Sequence, residues 1–252
     1  MEPQQFLVVD NYPISLAQAL QYLQASGKIQ LLIGDVLRQH VIEKELQTRT
    51  DLEIDSALTE QAIIDFRLQN QLTDSKRFGE WLASQKIDRP TFHSQINFGF
   101  KQEKLKAAVT QPKLQEYFIE RKLFLDRVVI SRIIVADQEL AEELASQIEE
   151  GASFEQLAKE YSLTDDRLVN GMMGPISRGS LPDLLRAAID VASPGEVVGP
   201  LAIDGNWGLF RVEQFLPASL EQNQLKQALE NELFEQWLAE KIQKLTVKLQ
   251  VS

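Results

Sequence analysis

Hydrophobic periodicity changes twice along this 252-residue chain, and those two changes constrain its fold more than any other feature. Up to about residue 125 the apolar residues recur at helical spacing. From Val128 to Val135 they become a β-branched run, Val-Val-Ile-Ser-Arg-Ile-Ile-Val, the composition of a central strand. Helical spacing returns after Pro217. A chain that is helical, then mixed, then helical again predicts an α+β protein. Its N-terminal helical module is completed by a C-terminal helix and strand, with a small α+β domain inserted. The expected boundaries are 1–125, 126–216 and 217–252.

Start and stop signals give this outline its elements. Phe6–Val9 reads as a short strand ending at Asp10-Asn11. Ser15 and Gln18 form a capping box for a first helix that Gly27 closes. Ile29, Leu32, Ile33, Val36, Leu37, His40 and Val41 repeat as one buried helix face, with His40 a core or boundary residue. Further helices are expected from Thr59, Asp74, Asp88 and Pro112. Their aromatic residues are spaced as helix packing requires. In the middle segment Asp137 and Ser153 cap two helices, and Thr164–Gly171 reads as a loop. Gly171, Gly174 and Gly179 keep the next stretch in turns, and Pro182 opens a short helix. Two strands turn at Asp204-Gly205. The order is β-α-α-β-α-β-β in about 90 residues, on a small antiparallel or mixed sheet. A Ser219–Gln222 capping box opens the last helix. Leu245, Val247, Leu249 and Val251 then alternate as a strand expected to pair with Phe6–Val9.

Composition excludes several function classes. The net charge of −11 argues against nucleic-acid binding, which needs Lys and Arg to displace counterions from phosphates. There is no cysteine, hence no thiol nucleophile or thiolate metal site. The two histidines, His40 and His93, are 53 positions apart and form no HExxH pattern. Neither a phosphate-binding glycine loop nor a G-x-S-x-G elbow occurs. No metal or cofactor is expected. No apolar run approaches the roughly 20 residues of a membrane span. The start shows no secretory pattern, so a cytoplasmic location is the expectation.

The segment from about Val128 to Phe215 resembles the parvulin (PpiC-like) family of peptidyl-prolyl cis-trans isomerases. The residues that carry the resemblance are Ser131-Arg-Ile-Ile-Val135, the run from Ile148 through Gly151-Ala-Ser-Phe154 to Tyr161-Ser162, and Gly171-Met-Met-Gly174. It continues through Arg178-Gly179, Leu181-Pro182, Pro194-Gly-Glu-Val-Val-Gly-Pro200 and Gly208-Leu-Phe-Arg-Val212. The flanking helices are similar to the helical chaperone module of SurA-type and PrsA-type foldases, whose chain ends combine around an inserted parvulin domain.

The resemblance implies a site of two histidines, a Cys or Asp between them, and a pocket lined by Met and Phe. None of these is intact here. The strand histidine position is Arg132, and the Cys/Asp position is Thr164, with Asp165 adjacent. The pocket methionine falls at Leu181, the first phenylalanine at Leu184 and a second aromatic at Ile189. The closing-strand histidine falls at Gly208, and no histidine lies between residues 94 and 252. Arg132, Thr164, Met173, Leu181, Leu184 and Ile189 are the candidate peptide-binding residues. Arg132 is a permanent cation with a planar fork, suited to a peptide carbonyl or carboxylate, or to an internal pair with Asp165 or Asp166. Leu181, Leu184 and Ile189 keep the pocket apolar but remove its aromatic wall, or else simply fill the core, the reading favoured for Ile189. Met172 and Met173 offer adaptable apolar surface.

The expected function is therefore a foldase-like protein that binds unfolded or proline-containing polypeptide with weak or absent isomerase activity. Two alternatives stay open: an active peptidyl-prolyl isomerase, and a structural adaptor of a peptide-export or assembly complex.

Overall fold

The computed structural model describes residues 5–248. The chain divides into two compact units. One comprises the chain up to Leu114 and again from Glu230 onward; the other is Gln115–Leu229.

The first unit begins with a hairpin of β1 (Gln5–Val9) and β2 (Tyr12–Ser15), followed by α1 (Leu16–Ala25) and α2 (Ile29–Thr48). Then come α3 (Ser56–Gln69), α4 (Ser75–Ser84) and α5 (Arg89–Leu125). Helix α5 and the last helix, Asn223–Gln243, each run through the division between units. The expected capping box at Ser15 is complete, since its side chain accepts from the Gln18 N–H and Gln18 accepts from the Ser15 N–H. Asp74 caps α4 as expected, whereas α3 starts earlier than Thr59, capped by Asp55.

Four expectations for this unit are corrected. Phe6–Val9 pairs antiparallel with Tyr12–Ser15, not with the C-terminal segment. Asp10 and Asn11 both take positive φ, a two-residue turn that closes the hairpin locally. Residues 245–248 form no strand, and Leu249 and Val251 lie outside the described residues. His40 is exposed, because the buried side of α2 narrows to Val41 and Ile42. Pro112 does not open a new helix: it sits inside the continuous α5. Only one helical hydrogen bond is lost at a proline, and Leu105 and Leu114 on either side are buried.

Two clusters hold this unit together. Val41, Ile42, Leu52 and Leu105 pack with Phe234 and Leu238 from the far end of the sequence. Arg38 adds a two-pronged ion pair to Glu235, at 2.5 and 2.7 Å. Phe66, Phe78, Trp81 and Phe92 form the second cluster, with ring centroids 5.1–6.1 Å apart. These rings pack on one another, the structural use their helical spacing suggested.

The second unit is built on β3 (Arg127–Val135), α6 (Gln138–Glu149), α7 (Phe154–Tyr161), β4 (Met172–Ser177), α8 (Asp183–Val191), β5 (Val197–Ile203) and β6 (Asn206–Leu216). Asp137 and Ser153 cap α6 and α7 as expected. The sheet order is β4-β3-β6-β5, every neighbour antiparallel. The chain turns between β5 and β6 on Asp204 and Gly205, both at positive φ. Strand β4 is the fourth element of the expected order, and it runs through Gly174 in the stretch the glycines marked as turns. The last helix, α9 (Asn223–Gln243), starts after Gln222. Ser219 accepts from the Glu221 N–H in a turn instead of capping it.

Because side chains alternate along a strand, the sheet has two buried faces. Ile133, Val135 and Leu209 meet Leu144, Phe154, Leu157 and Ala158 of α6 and α7. Ile130, Ile134, Phe210 and Val212 meet Leu185 and Ile189 of α8. The candidate site lies on this second face.

Candidate functional site: an apolar cleft beside Arg132

A cleft of about 270 Å³ opens on the α8 face of the sheet. Its walls are Ile130, Ile134 and Phe210 from β3 and β6, Met173 and Ile176 from β4, and Leu181 and Leu185 around the start of α8. Arg132, Ser180 and Asp204 supply polar groups. The register explains this assembly: Arg132 stands opposite Phe210, and Ile134 opposite Gly208. The four side-chain positions therefore share one face of two adjacent strands.

Arg132 is aimed by a chain of hydrogen bonds. Its Nε donates to Asp166 Oδ2 at 2.7 Å. Asp166 Oδ1 accepts from Thr164 Oγ1 at 2.5 Å, and Thr164 Oγ1 shares a 3.0 Å hydrogen bond with Ser162 Oγ. Ser162 is itself fixed, because its Oγ accepts from the Ile134 N–H at 3.1 Å. The backbone closes the same loop: Arg132 N–H donates to Gly171 O, and Gly171 N–H donates to Asp166 O, both at 2.9 Å. Gly171 is required there. It takes φ +77, and a Cβ would lie 2.3 Å from the Arg132 carbonyl oxygen. Of the two pairings considered for Arg132, the structure forms the one with Asp166. The terminal nitrogens Nη1 and Nη2 have no partner among the described residues.

The six candidate residues separate into four groups. Arg132, Met173 and Leu181 line the cleft. Thr164 does not line it and reaches Arg132 through Asp166. Leu184 is 55% exposed on the outer side of α8, and its neighbour Leu185 faces the cleft instead. Ile189 is 0% exposed and fills the core below. The aromatic wall expected to be missing is present: the buried ring of Phe210 supplies it from β6. Alternation along Trp207–Val212 places Phe210 two residues from Gly208, on the same face, and is the sequence signal for it. Gly208 is filled in from outside. A Cβ there would lie 2.5 and 2.7 Å from Phe210 Cε2 and Cζ, and 3.0 Å from Ile134 Cδ1.

Two further carboxylates stabilise the frame. On the opposite face Arg211 Nη2 donates to Glu155 Oε1 at 2.7 Å, and Ser153 Oγ donates to Oε2 at 2.8 Å. The Arg211 contact leads in lowering the Glu155 carboxyl to about 2. Arg211 also bonds Glu213, whose Oε1 accepts from Ser131 Oγ. At the base of the sheet, burial pushes the Asp126 carboxyl up. Hydrogen bonds from Lys122 and the Ala218 N–H outweigh it and hold the group below the usual carboxylate range. Arg178 Nη1 reaches the other oxygen at 3.3 Å. Among the described residues no cluster of His, Asp and Glu is arranged to hold a metal ion, and no helix is long and apolar enough to cross a membrane.

Residues 109–228 match the family described as the PPIC-type PPIASE domain, a span close to the second unit. Foldase protein PrsA 2 of Listeria innocua is 25% identical over 177 residues, covering 68% of this chain and 60% of that protein's length. Foldase protein PrsA of Bacillus subtilis is 26% identical over 209 residues, covering 81% of this chain and 67% of that protein. The crystal structure of peptidylprolyl isomerase (PrsA) from Bacillus cereus aligns with 100% of this chain and 96% of that one, at 16% identity and a TM-score of 0.44.

Proposed function

We propose, starting from a chain that belongs through residues 109–228 to the PPIC-type (parvulin) peptidyl-prolyl isomerase family, that it is a foldase-like protein whose cleft holds unfolded or proline-containing polypeptide with little or no isomerase turnover. The carrying observation is the cleft itself: apolar walls, an aromatic ring, one oriented guanidinium fork, and no imidazole. A prolyl ring or aliphatic side chain fits against Met173, Leu181, Leu185 and Phe210. The free nitrogens of Arg132 are then placed to donate to a backbone carbonyl of the bound chain.

Turnover demands more than holding. An X-Pro bond rotates over a barrier of about 18–20 kcal/mol, and acceleration requires groups that favour the twisted amide over the planar one. The two positions where the family carries histidine hold Arg132 and Gly208. Arg132 donates in either state and cannot switch between donor and acceptor as a neutral imidazole can. At Gly208 the space beside the backbone is taken by Phe210 and Ile134.

The test is an isomerisation assay on a short X-Pro peptide with the full chain, run beside a titration of an unfolded peptide. Binding with at most slight acceleration is expected. Replacing Arg132 by Ala should weaken binding about five-fold, the worth of one hydrogen bond of ~1 kcal/mol. Failure to bind either peptide would reject the proposal. Strong acceleration would favour the second reading, an active isomerase, which the family match supports.

A further inference from the structure

The charges at the cleft are not equally compensated. Arg132 has Asp166 at 2.7 Å from its Nε. Arg178, beyond Ser180, is committed to Asp126 and Asp190, and Arg186 to Asp183. Asp204 also lines the cleft, and no cation among the described residues pairs with it. It stands exposed at the tip of the β5–β6 turn, at φ +51 beside Gly205 at φ +79. A two-residue turn of this kind holds its backbone in one place. The cleft therefore presents an apolar floor, a neutralised guanidinium, and one uncompensated carboxylate at its rim. Low-dielectric walls concentrate the field of such a charge at the mouth. The net charge of −11 has the same sign.

We infer that Asp204 makes the cleft selective for polypeptide carrying a Lys or Arg next to the apolar or prolyl residue seated in it. This rests on the reading of the cleft as a polypeptide site and specifies its substrate class. The seated residue lies on Met173, Leu181 and Phe210, its neighbouring carbonyl meets Arg132, and the adjacent cation meets Asp204. An acidic neighbour would instead meet an uncompensated like charge.

The experiment uses the full chain and three labelled peptides that differ only beside the proline, with Lys, Ala or Glu there, titrated by fluorescence anisotropy. Binding in the order Lys, Ala, Glu is expected, with about three-fold between Lys and Ala at low salt. The ratio should narrow at about 0.15 M salt. Asp204→Asn is the matching variant, because Asn also tolerates positive φ and the turn is kept. On that variant the Lys and Ala peptides should bind equally, which separates Asp204 from the charge of the chain as a whole. Equal binding of Lys and Ala peptides to the unaltered chain, or a Lys preference that survives Asp204→Asn, overturns the inference and leaves the proposed function standing. Failure of all three peptides to bind overturns both.

Discussion

Adding one methyl group at Gly208 tests how tightly Phe210 packs against this position of β6. The new Cβ would lie 2.5 and 2.7 Å from two ring carbons of Phe210, against about 3.5–4.0 Å for an ordinary carbon contact. The ring must shift by roughly 1 Å, and it is only 2% exposed, with Ile130, Leu185 and Val212 in the same cluster. Overpacking of this kind costs about 1–3 kcal/mol. Phe210→Leu alone should cost on the order of 1–2 kcal/mol, since a buried ring becomes a smaller apolar group. Leucine lacks the Cε2 and Cζ atoms that the methyl would strike. The double variant should therefore lose less than the sum of the singles by about 1 kcal/mol or more. Urea unfolding of the full chain, with Trp207 fluorescence followed for the middle unit, measures all four corners of the cycle. Additivity within about 0.5 kcal/mol would refute the assignment of this space to the Phe210 ring. The same geometry predicts that a histidine introduced at 208 does not fit unless Phe210 is reduced as well.

Two other outcomes follow from the frame around the cleft. Gly171→Ala should destabilise the middle unit by about 2 kcal/mol or more in urea, because it combines positive φ with a 2.3 Å approach to the Arg132 carbonyl, and it should weaken peptide binding as Arg132 shifts. Glu155 has its carboxyl lowered to about 2, so its contribution is fully present above the ordinary value of 4.5 and is lost as pH falls from there toward 2. Its side chain is 43% exposed, which limits the effect to about 0.2–1 kcal/mol. Urea midpoints for Glu155→Gln should accordingly fall below the parent above pH 4.5 and converge with it near pH 2, and a constant gap across that range would contradict the assignment.

Much of the architecture was legible because it is locally encoded. Asp74, Asp137 and Ser153 each satisfy an N–H within three residues, and Asp204-Gly205 needs nothing beyond itself to turn. What escaped is set by partners distant in sequence. The bounds of strand β4, whose place in the order was expected, are one case: it contains Gly174 and Pro175 and shows no alternation, and β3 beside it fixes its extent. Pro112 reads as a start signal, and the helix passes through it within a buried seam. In the site, Arg132 and Leu181 follow from the resemblance, and Met173 from its place beside the glycine loop. The exchange of Leu184 for Leu185 is a one-residue slip on a helix, which turns the chosen side chain about 100° away. Phe210 lies outside the positions that the resemblance marks as aromatic, and the ring in this cleft comes from β6.

Asp126 sits where the polypeptide enters the sheet, and Ala218 where it leaves. The Asp126 carboxylate accepts from the Ala218 N–H at 2.9 Å and from Lys122 Nζ at 2.8 Å, while the Lys122 ammonium also reaches the Ala218 carbonyl at 3.3 Å. Incoming and outgoing strands are thus knotted by side chain and backbone at one point. A segment whose two ends are already neighbours is a natural cassette: it can be lifted out, closed on itself by a short loop, or spliced into a foreign scaffold without spreading its ends apart.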